Sequence, residues 1–307
     1  MHRFLSSASL LLLAAIASGL FSASTAYAQD VECNPSFVSV STGKIRVLPS
    51  GGDDTDNLQC AVLEAGRLSL PRVELAAGDF SFTRLFFDAY RGTFGGTSAD
   101  STRMTVIPNS VDCGGAGQSA NLVVVSGGDT KISRVRIDAS NPCRSGSNFA
   151  VIAFVQPESE PACQRRTFFG EVDRVEVIGS ASQSGRTVAI SNVPPQQCFL
   201  AGQGTLGTFK VNRSTIEAFA IAIATQIWGQ GQVDINFNSI DAVGTAIFIV
   251  DADQSTTITG NSIRYNGGNP AWTNQSFGYG VLGSTFSNGA PAANRTVIHN
   301  NRFFDLG

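Results

Sequence analysis

Histidine is almost missing from this 307-residue chain: only His2 and His299 occur. The six cysteines include no C-x-x-C pair, so a Cys/His zinc site is not expected. Lysine is also scarce, at Lys44, Lys131 and Lys210. No cluster of Lys and Arg is present, which removes the electrostatic case for nucleic acid, since phosphate binding relies on such clusters. Beyond the first residues no apolar run is long enough to span a bilayer, which takes about 20 residues. Helical periodicity is nearly absent as well.

The N-terminus reads as an export signal. His2 and Arg3 are followed by an apolar run from Leu10 to Phe21 and then by Ala26-Tyr27-Ala28, an A-x-A cleavage pattern. Cleavage before Gln29 is expected, giving a secreted or periplasmic protein with no membrane span. Removing Arg3 from the 21 Lys+Arg leaves 20 against 24 Asp+Glu, a mildly acidic balance. The 32 glycines, with frequent Asn, Ser and Thr, suit a fold of short strands and tight turns.

Repeats carry the main signal. Six segments superimpose without gaps: Ile132-Ser-Arg-Val-Arg-Ile137, Val172-Asp-Arg-Val-Glu-Val177, Val211-Asn-Arg-Ser-Thr-Ile216, Ile235-Asn-Phe-Asn-Ser-Ile240, Ile258-Thr-Gly-Asn-Ser-Ile263 and Ile298-His-Asn-Asn-Arg-Phe303. Their starts are 40, 39, 24, 23 and 40 residues apart, so the short spacings suggest one coil and the long ones a coil plus a loop. One unit is too small to bury its apolar side, and stacking supplies the missing neighbour. Equivalent residues then form ladders at a spacing of about 4.8 Å. Asn238, Asn261 and Asn301 are expected to stack amide on amide in one turn. A further strand precedes each segment, at 122–125, 150–155, 188–191, 221–224, 247–250 and 279–282, giving three short strands per coil. The exception is Thr55 to Ala65, where Leu58, Ala61, Val62 and Ala65 share one face and Asp54 or Thr55 can cap an amphipathic helix. That helix is expected to cover the open end of the apolar column.

The run Asp53-Asp-Thr-Asp-Asn-Leu-Gln-Cys-Ala61, then Val73-Glu-Leu-Ala-Ala-Gly-Asp-Phe80, then Gly92-Thr-Phe-Gly-Gly-Thr-Ser-Ala-Asp-Ser-Thr102, resembles the opening of pectin-lyase-like proteins. The Ile-x-x-Asn-x-Ile segments are similar to that superfamily's coil repeat. The resemblance implies an all-β fold: a single-stranded right-handed parallel β-helix, or solenoid, with an N-terminal capping helix. The expected organisation is a signal peptide at 1–28, an arm and capping helix at 29–70, and the β-helix at 71–307. On the resulting coil map Cys163 pairs with Cys198, Cys113 with Cys143, and Cys33 with Cys60. An even number of cysteines in an exported chain favours disulfides.

The superfamily spans many activities, and its best-known motifs are missing. There is no N-T-D, G-H-G or R-I-K set of the polygalacturonase-like hydrolases, no W-x-D-H or R-x-P-x-x-R of the pectate-lyase-like enzymes, and no Gly-x-x-Asp-Phe-x-x-Gly of the methylesterase-like ones. The column before the repeat reads Lys131, Glu171, Lys210, Asp234, Thr257, Val297, as a cross-strand salt-bridge ladder would. Asp234, Asp251 and Asp253, with Lys210 beside them, form the sharpest candidate cluster. Grouped carboxylates of this kind hold Ca²⁺ (Asp251 and Asp253) or serve as general acid and base, and Lys210 would stabilise an enolate or neutralise a uronate. The competing reading is a polar turn with a Lys–Asp ladder pair. Tyr265 and Trp272 are candidates for stacking on sugar rings, and Arg213 and Arg264 for polar contacts to a glycan. The expected function is binding, with cleavage or modification left open, of an extended uronate-type polysaccharide. The alternative is a non-catalytic surface, adhesion or structural protein. The C-terminal coil carries no evident cap, which points to end-to-end self-association.

Overall fold

In the repeat segments each first residue stacks on the first of the next. Ile132 pairs in parallel with Val172, Val172 with Val211, Val211 with Ile235, Ile235 with Ile258 and Ile258 with Ile298. The sixth residues form a second column through Ile137, Val177, Ile216, Ile240, Ile263 and Phe303. The structure, a computed structural model, describes residues 32–114, 120–127, 129–155, 167–180, 187–192, 206–225, 231–250, 254–265, 279–284 and 296–304. Across them the chain is an all-β parallel solenoid, a β-helix with three faces. The crossover rule gives the right-handed sense of its coils.

The first face is a 10-stranded sheet: nine parallel strands run from Lys44–Val47 to Thr296–His299, and Val38–Ser41 is the tenth, antiparallel at the N-terminal edge. Second-face strands such as Arg136–Asp138 and Glu176–Ile178 follow after a tight turn. The third face holds Ala120–Ser126, Phe149–Val155 and Thr187–Asn192, whose apolar runs are almost wholly buried. Solvent-facing polar side chains therefore concentrate on the first two faces and on the turn between them.

Two features differ from expectation. Below Phe94 and Val73, which lie within the expected β-helix at 71–307, the first-face column beneath Ile132 extends to Ile45, in the segment read as an arm. All are 0–1% exposed. Further on, the second and third strands merge: Thr215–Thr225 and Ser239–Val250 each run through both faces, bent by register shifts near Phe219. On the last described coil Ile298 and Phe303 are 48% and 42% exposed, although their counterparts in the preceding coils are buried.

Helix α1, Thr55–Arg67, covers the N-terminal end. Its buried residues Leu58, Ala61, Val62 and Ala65 lie on the column, and its polar side chains complete the first coil's hydrogen bonding. Gln59 Nε2 donates to Phe86 O and Gln59 Oε1 accepts from Phe86 N, both at 2.8 Å, as a neighbouring strand would. Thr55 Oγ1 accepts from Thr83 N at 2.9 Å. Asp54 is the N-cap residue, yet its side chain does not cap the helix. Its carboxylate accepts instead from Ser50 N at 2.8 Å and Ser81 N at 3.2 Å, fastening the entering chain to the first coil. Asp53 takes over the local role by accepting from Thr55 N at 2.9 Å.

The asparagine stack is present. Asn238 Nδ2 donates to Asn261 Oδ1 and Asn261 Nδ2 to Asn301 Oδ1, each at 2.9 Å. Each Nδ2 also reaches a carbonyl of the preceding coil: Val211 O, Ile235 O and Ile258 O. The disulfides Cys33–Cys60 and Cys113–Cys143 are formed, as fits an oxidising compartment. Cys163 and Cys198 lie outside the described residues. Among the described residues no helix is long and apolar enough to cross a membrane.

Candidate functional site

The turn from first to second face places one residue per coil in the left-handed region. Arg134, Arg174, Arg213, Phe237, Gly260 and Asn300 have φ of 56°, 55°, 52°, 59°, 66° and 56°. The backbone N–H of each of the first five donates to the next coil, to Asp173 O, Asn212 O, Asn236 O, Thr259 O and His299 O. These bonds hold the turns in register, so the third residues of the repeat form a column. Its first three members are arginines on consecutive coils.

Asp173 anchors the column. Its side chain is fully buried and accepts from three cations. Oδ1 takes Arg213 Nε at 2.8 Å and Nη2 at 2.5 Å. Oδ2 takes Arg174 Nε at 3.2 Å and Nη2 at 3.0 Å, and Lys131 Nζ lies 3.1 Å away. Burial pushes the Asp173 carboxyl up, but the bonds from Lys131, Arg174 and Arg213 outweigh it and hold it below the usual aspartate range. Arg174 and Arg213 are still 45% and 53% exposed. The Arg134 side chain has no charged or hydrogen-bonded partner among the described residues.

A cleft of about 490 Å³ opens over this column. Arg134, Arg174 and Arg213 line it together with Glu176 and Thr215 and with Thr97, Ser98, Ala99 and Asp100 of the loop between Gly92–Gly95 and Thr102–Val106. The loop hydroxyls are set by mutual bonds, with Ser98 Oγ 2.8 Å from Ser101 Oγ. Glu176 is engaged by Arg136 at 3.6 Å. Lys131, Arg134, Arg174 and Arg213 face Glu171 and Asp173, leaving two positive charges, and Asp100 on the loop reduces the excess to one. The half-exposed guanidiniums are planar forks suited to carboxylate, sulfate or phosphate oxygens.

Of the residues singled out from the sequence, Arg213 lies in this cleft. Lys210 and Asp234 are direct cross-strand partners on the first face, with Nζ 3.5 Å from Oδ2. Gln232 Nε2 occupies both Asp234 oxygens, at 3.1 and 3.0 Å. Asp234 thus makes the ladder pair that the lysine–aspartate alternation implies. Asp251, Asp253 and Trp272 lie outside the described residues, as does any Ca²⁺ site they would form. Among the described residues no three His, Cys, Asp or Glu gather as a metal would require. Arg264 sits two coils beyond Arg213 on the second face, 6.0 Å from the Phe304 ring centroid, and partly buried Tyr265 follows it. The structure does not bring Arg264 and Tyr265 into the cleft.

Arg134, Arg174 and Asp173 were not among the sequence candidates. The third position of the six aligned segments reads Arg, Arg, Arg, Phe, Gly, Asn, and that column held the signal.

No family model matches the chain, and no curated protein matches it. Two solved structures resemble it. PfbA, a surface adhesin of Streptococcus pneumoniae, superposes with a TM-score of 0.41 at 12% identity, over 83% of this chain and 70% of the adhesin's. The enzymatically active domain of tailspike protein 2 of bacteriophage CBA120 superposes with a TM-score of 0.38 at 14% identity, over 84% of this chain and 46% of the tailspike's. Likeness at this level speaks to neither ligand nor activity.

Proposed function

We propose that the protein is an exported β-helix that binds an extended acidic polysaccharide of the uronate type, docked along the arginine turns. The observation that carries this reading is the run of three arginines on three consecutive coils. An L-residue in a left-handed turn costs roughly 1–2 kcal/mol, which glycine avoids and asparagine eases. The same turn is made with Gly260 and Asn300 in later coils, so the fold itself does not call for arginine. Like charges on adjacent rungs are a second cost. On the first face the ladder alternates in sign, as at Lys131–Glu171 and Lys210–Asp234, whereas the second face also stacks like charges, Arg103 on Arg136 and Glu217 on Asp241. A polyanion would offset both costs, because a ligand charge between the guanidiniums turns repulsion into attraction. Coils roughly 4.8 Å apart match the scale of one sugar residue, and a carboxylate on each would meet one fork per coil. The N-terminal leader and the two disulfides support export.

The test is titration of the protein with polygalacturonate and alginate at several salt concentrations. Binding that weakens with salt is expected, because exposed charges are screened. Arg134→Asn removes a guanidinium that has no partner among the described residues, at a turn that tolerates Asn. It should weaken binding about tenfold, the equivalent of one charge-assisted contact of about 1.4 kcal/mol, and flatten the salt dependence. Absorbance of unsaturated products in the same mixtures separates a lyase from a binding protein. Absence of binding to either glycan would leave the surface or structural alternative.

A further inference from the structure

The turn column does not end at the arginines. Its next member, Phe237, is 66% exposed, more than any other large apolar side chain described. Its φ of 59° is unusual for a bulky residue. Its backbone is used like the arginines', with N–H donating to Thr259 O at 3.0 Å. The ring does not reach the core. A Cβ built on Gly260, one coil further, would stand 2.6 Å from Phe237 Cδ1 and 2.7 Å from Cε1. The ring therefore leans along the helix axis over Gly260, and a side chain at 260 would displace it.

Two adjacent coils thus maintain one arrangement. The first keeps an aromatic residue in a left-handed turn, and the second keeps a glycine beneath it. The left-handed turn accounts for Gly260, but core packing does not account for the ring, since two thirds of the Phe237 side chain faces water. A ring lying on the surface presents a flat π-face, which attracts the weakly positive C–H groups of an apolar ligand face. A pyranose has such a face, lined by axial C–H groups. The ring also continues the line of Arg134, Arg174 and Arg213 at the next coil.

We infer that Phe237 is a stacking platform for a sugar ring of the same polysaccharide, at the end of the arginine strip and beyond the cleft. This rests on the polysaccharide reading above. It orients the glycan parallel to the solenoid axis, with acidic groups over the three arginine coils and an apolar ring face over the fourth. The strip has two unlike ends, so the glycan would be bound in one direction.

Three variants, titrated with polygalacturonate over a range of salt, test the platform. Phe237→Asn removes the ring and leaves a residue that the equivalent turn at Asn300 already uses. Phe237→Leu keeps apolar bulk without a π-face, and Phe237→Trp enlarges the ring. Loss of one stacking contact predicts roughly three- to tenfold weaker binding for Asn and Leu, with the salt dependence unchanged. Trp should bind at least as tightly as the wild type, with a blue shift in emission on glycan addition beyond any that Trp228 and Trp272 give in the wild type. The thermal midpoint of Phe237→Asn should match or exceed that of the wild type. Wild-type affinity in both Asn and Leu variants, while Arg134→Asn still weakens binding, would overturn the platform and leave the arginine strip standing. A clearly lowered midpoint for Asn, with full binding by Leu, would assign the ring to packing over Gly260 and overturn it as well. Failure of the wild-type protein to bind any polyuronate would remove both readings together.

Discussion

Replacing Asp173 by Asn should destabilise the protein by about 2–3 kcal/mol at neutral pH. The carboxylate is fully buried and takes four hydrogen bonds from two arginines, with Lys131 3.1 Å away. Counting three charge-assisted partners at about 1.5–3 kcal/mol each would overshoot. Lys131, Arg174 and Arg213 are 29%, 45% and 53% exposed, so water screens each pair and rehydrates each cation once the carboxylate is gone. Breaking a fully buried pair costs about 3–5 kcal/mol because a bare charge stays behind in the interior. Here the group removed is the buried one and the groups left behind reach solvent, which places the cost below that range. Asn keeps the shape and one acceptor oxygen, so no cavity contributes.

The pH dependence follows from the same geometry. The folded carboxyl titrates below its unfolded value of about 3.9 because the three cations outweigh its burial. A depressed folded value contributes stability that is complete above the unfolded value and disappears as pH falls through the folded one. Urea unfolding of the wild type and Asp173→Asn should therefore give parallel transitions, separated by a constant free energy from neutral pH down to about 5. The separation should close below about 4. A difference under 0.5 kcal/mol at neutral pH, or one that persists undiminished to about pH 2, would refute the assignment of Asp173 as the charged anchor of the arginine column.

Two other perturbations probe the scaffold. Asn261→Ala strips the centre of the amide ladder, where Oδ1 accepts from Asn238 N and Nδ2 and the side-chain amide donates to Ile235 O and Asn301 Oδ1. With several buried groups left unpaired at about 1–3 kcal/mol each, a loss of roughly 3 kcal/mol is expected in chemical denaturation, partly relieved if water enters. Changing both Cys113 and Cys143 to Ser opens a bridge spanning 30 residues and should lower stability by about 2–4 kcal/mol. The thermal midpoint of that variant should no longer respond to reductant at this bridge.

The scaffold was legible because a solenoid repeats its own restraints. Ile132, Val172 and Val211 recur in sequence because they stack in space, and an amide at position four recurs because Asn238 must meet Asn261. Legibility failed where the repeat was broken. The levels of Val73 and Phe94 lack the six-residue signature, since the turn from Arg72–Leu75 to Gly78–Phe82 is longer than in the repeat and the loop at 96–101 replaces it at Phe94. Asp54 looked like a helix cap because local sequence cannot reveal that Ser50 and Ser81 come within reach of its carboxylate. The arginine cleft was missed for a different reason. Lys210 and Asp234 alternate in the outward column just as a site pair would, although the ladder already satisfies Asp234. Turn residues count as neither outward nor inward on a strand, and their left-handed conformation cannot be read from Arg or Phe.

Within the turn column, that conformation sets the proposed binding residues against those that make the turn alone. The protein contains its own control, because one backbone turn is repeated on six coils with different side chains. Where only the turn is needed, Gly260 and Asn300 make it at low cost. Where the residue is Arg134, Arg174, Arg213 or Phe237, the backbone is held in the same region by the same N–H ladder, and the added side chain mostly faces solvent or the cleft. Asp173 shows that the cost is managed rather than incidental. It fixes the guanidiniums of the second and third coils by burying its own carboxylate, and it leaves that of the first without a partner among the described residues. The neighbouring first-face column alternates its charges, as the Lys131–Glu171 rung does. The turn column instead carries three cations in succession and then a ring lying over Gly260, and local departures of this kind tend to mark functional sites. On the proposed reading, a ligand carrying negative charge along its length relieves the repulsion between these guanidiniums, and its apolar face at one end meets the ring.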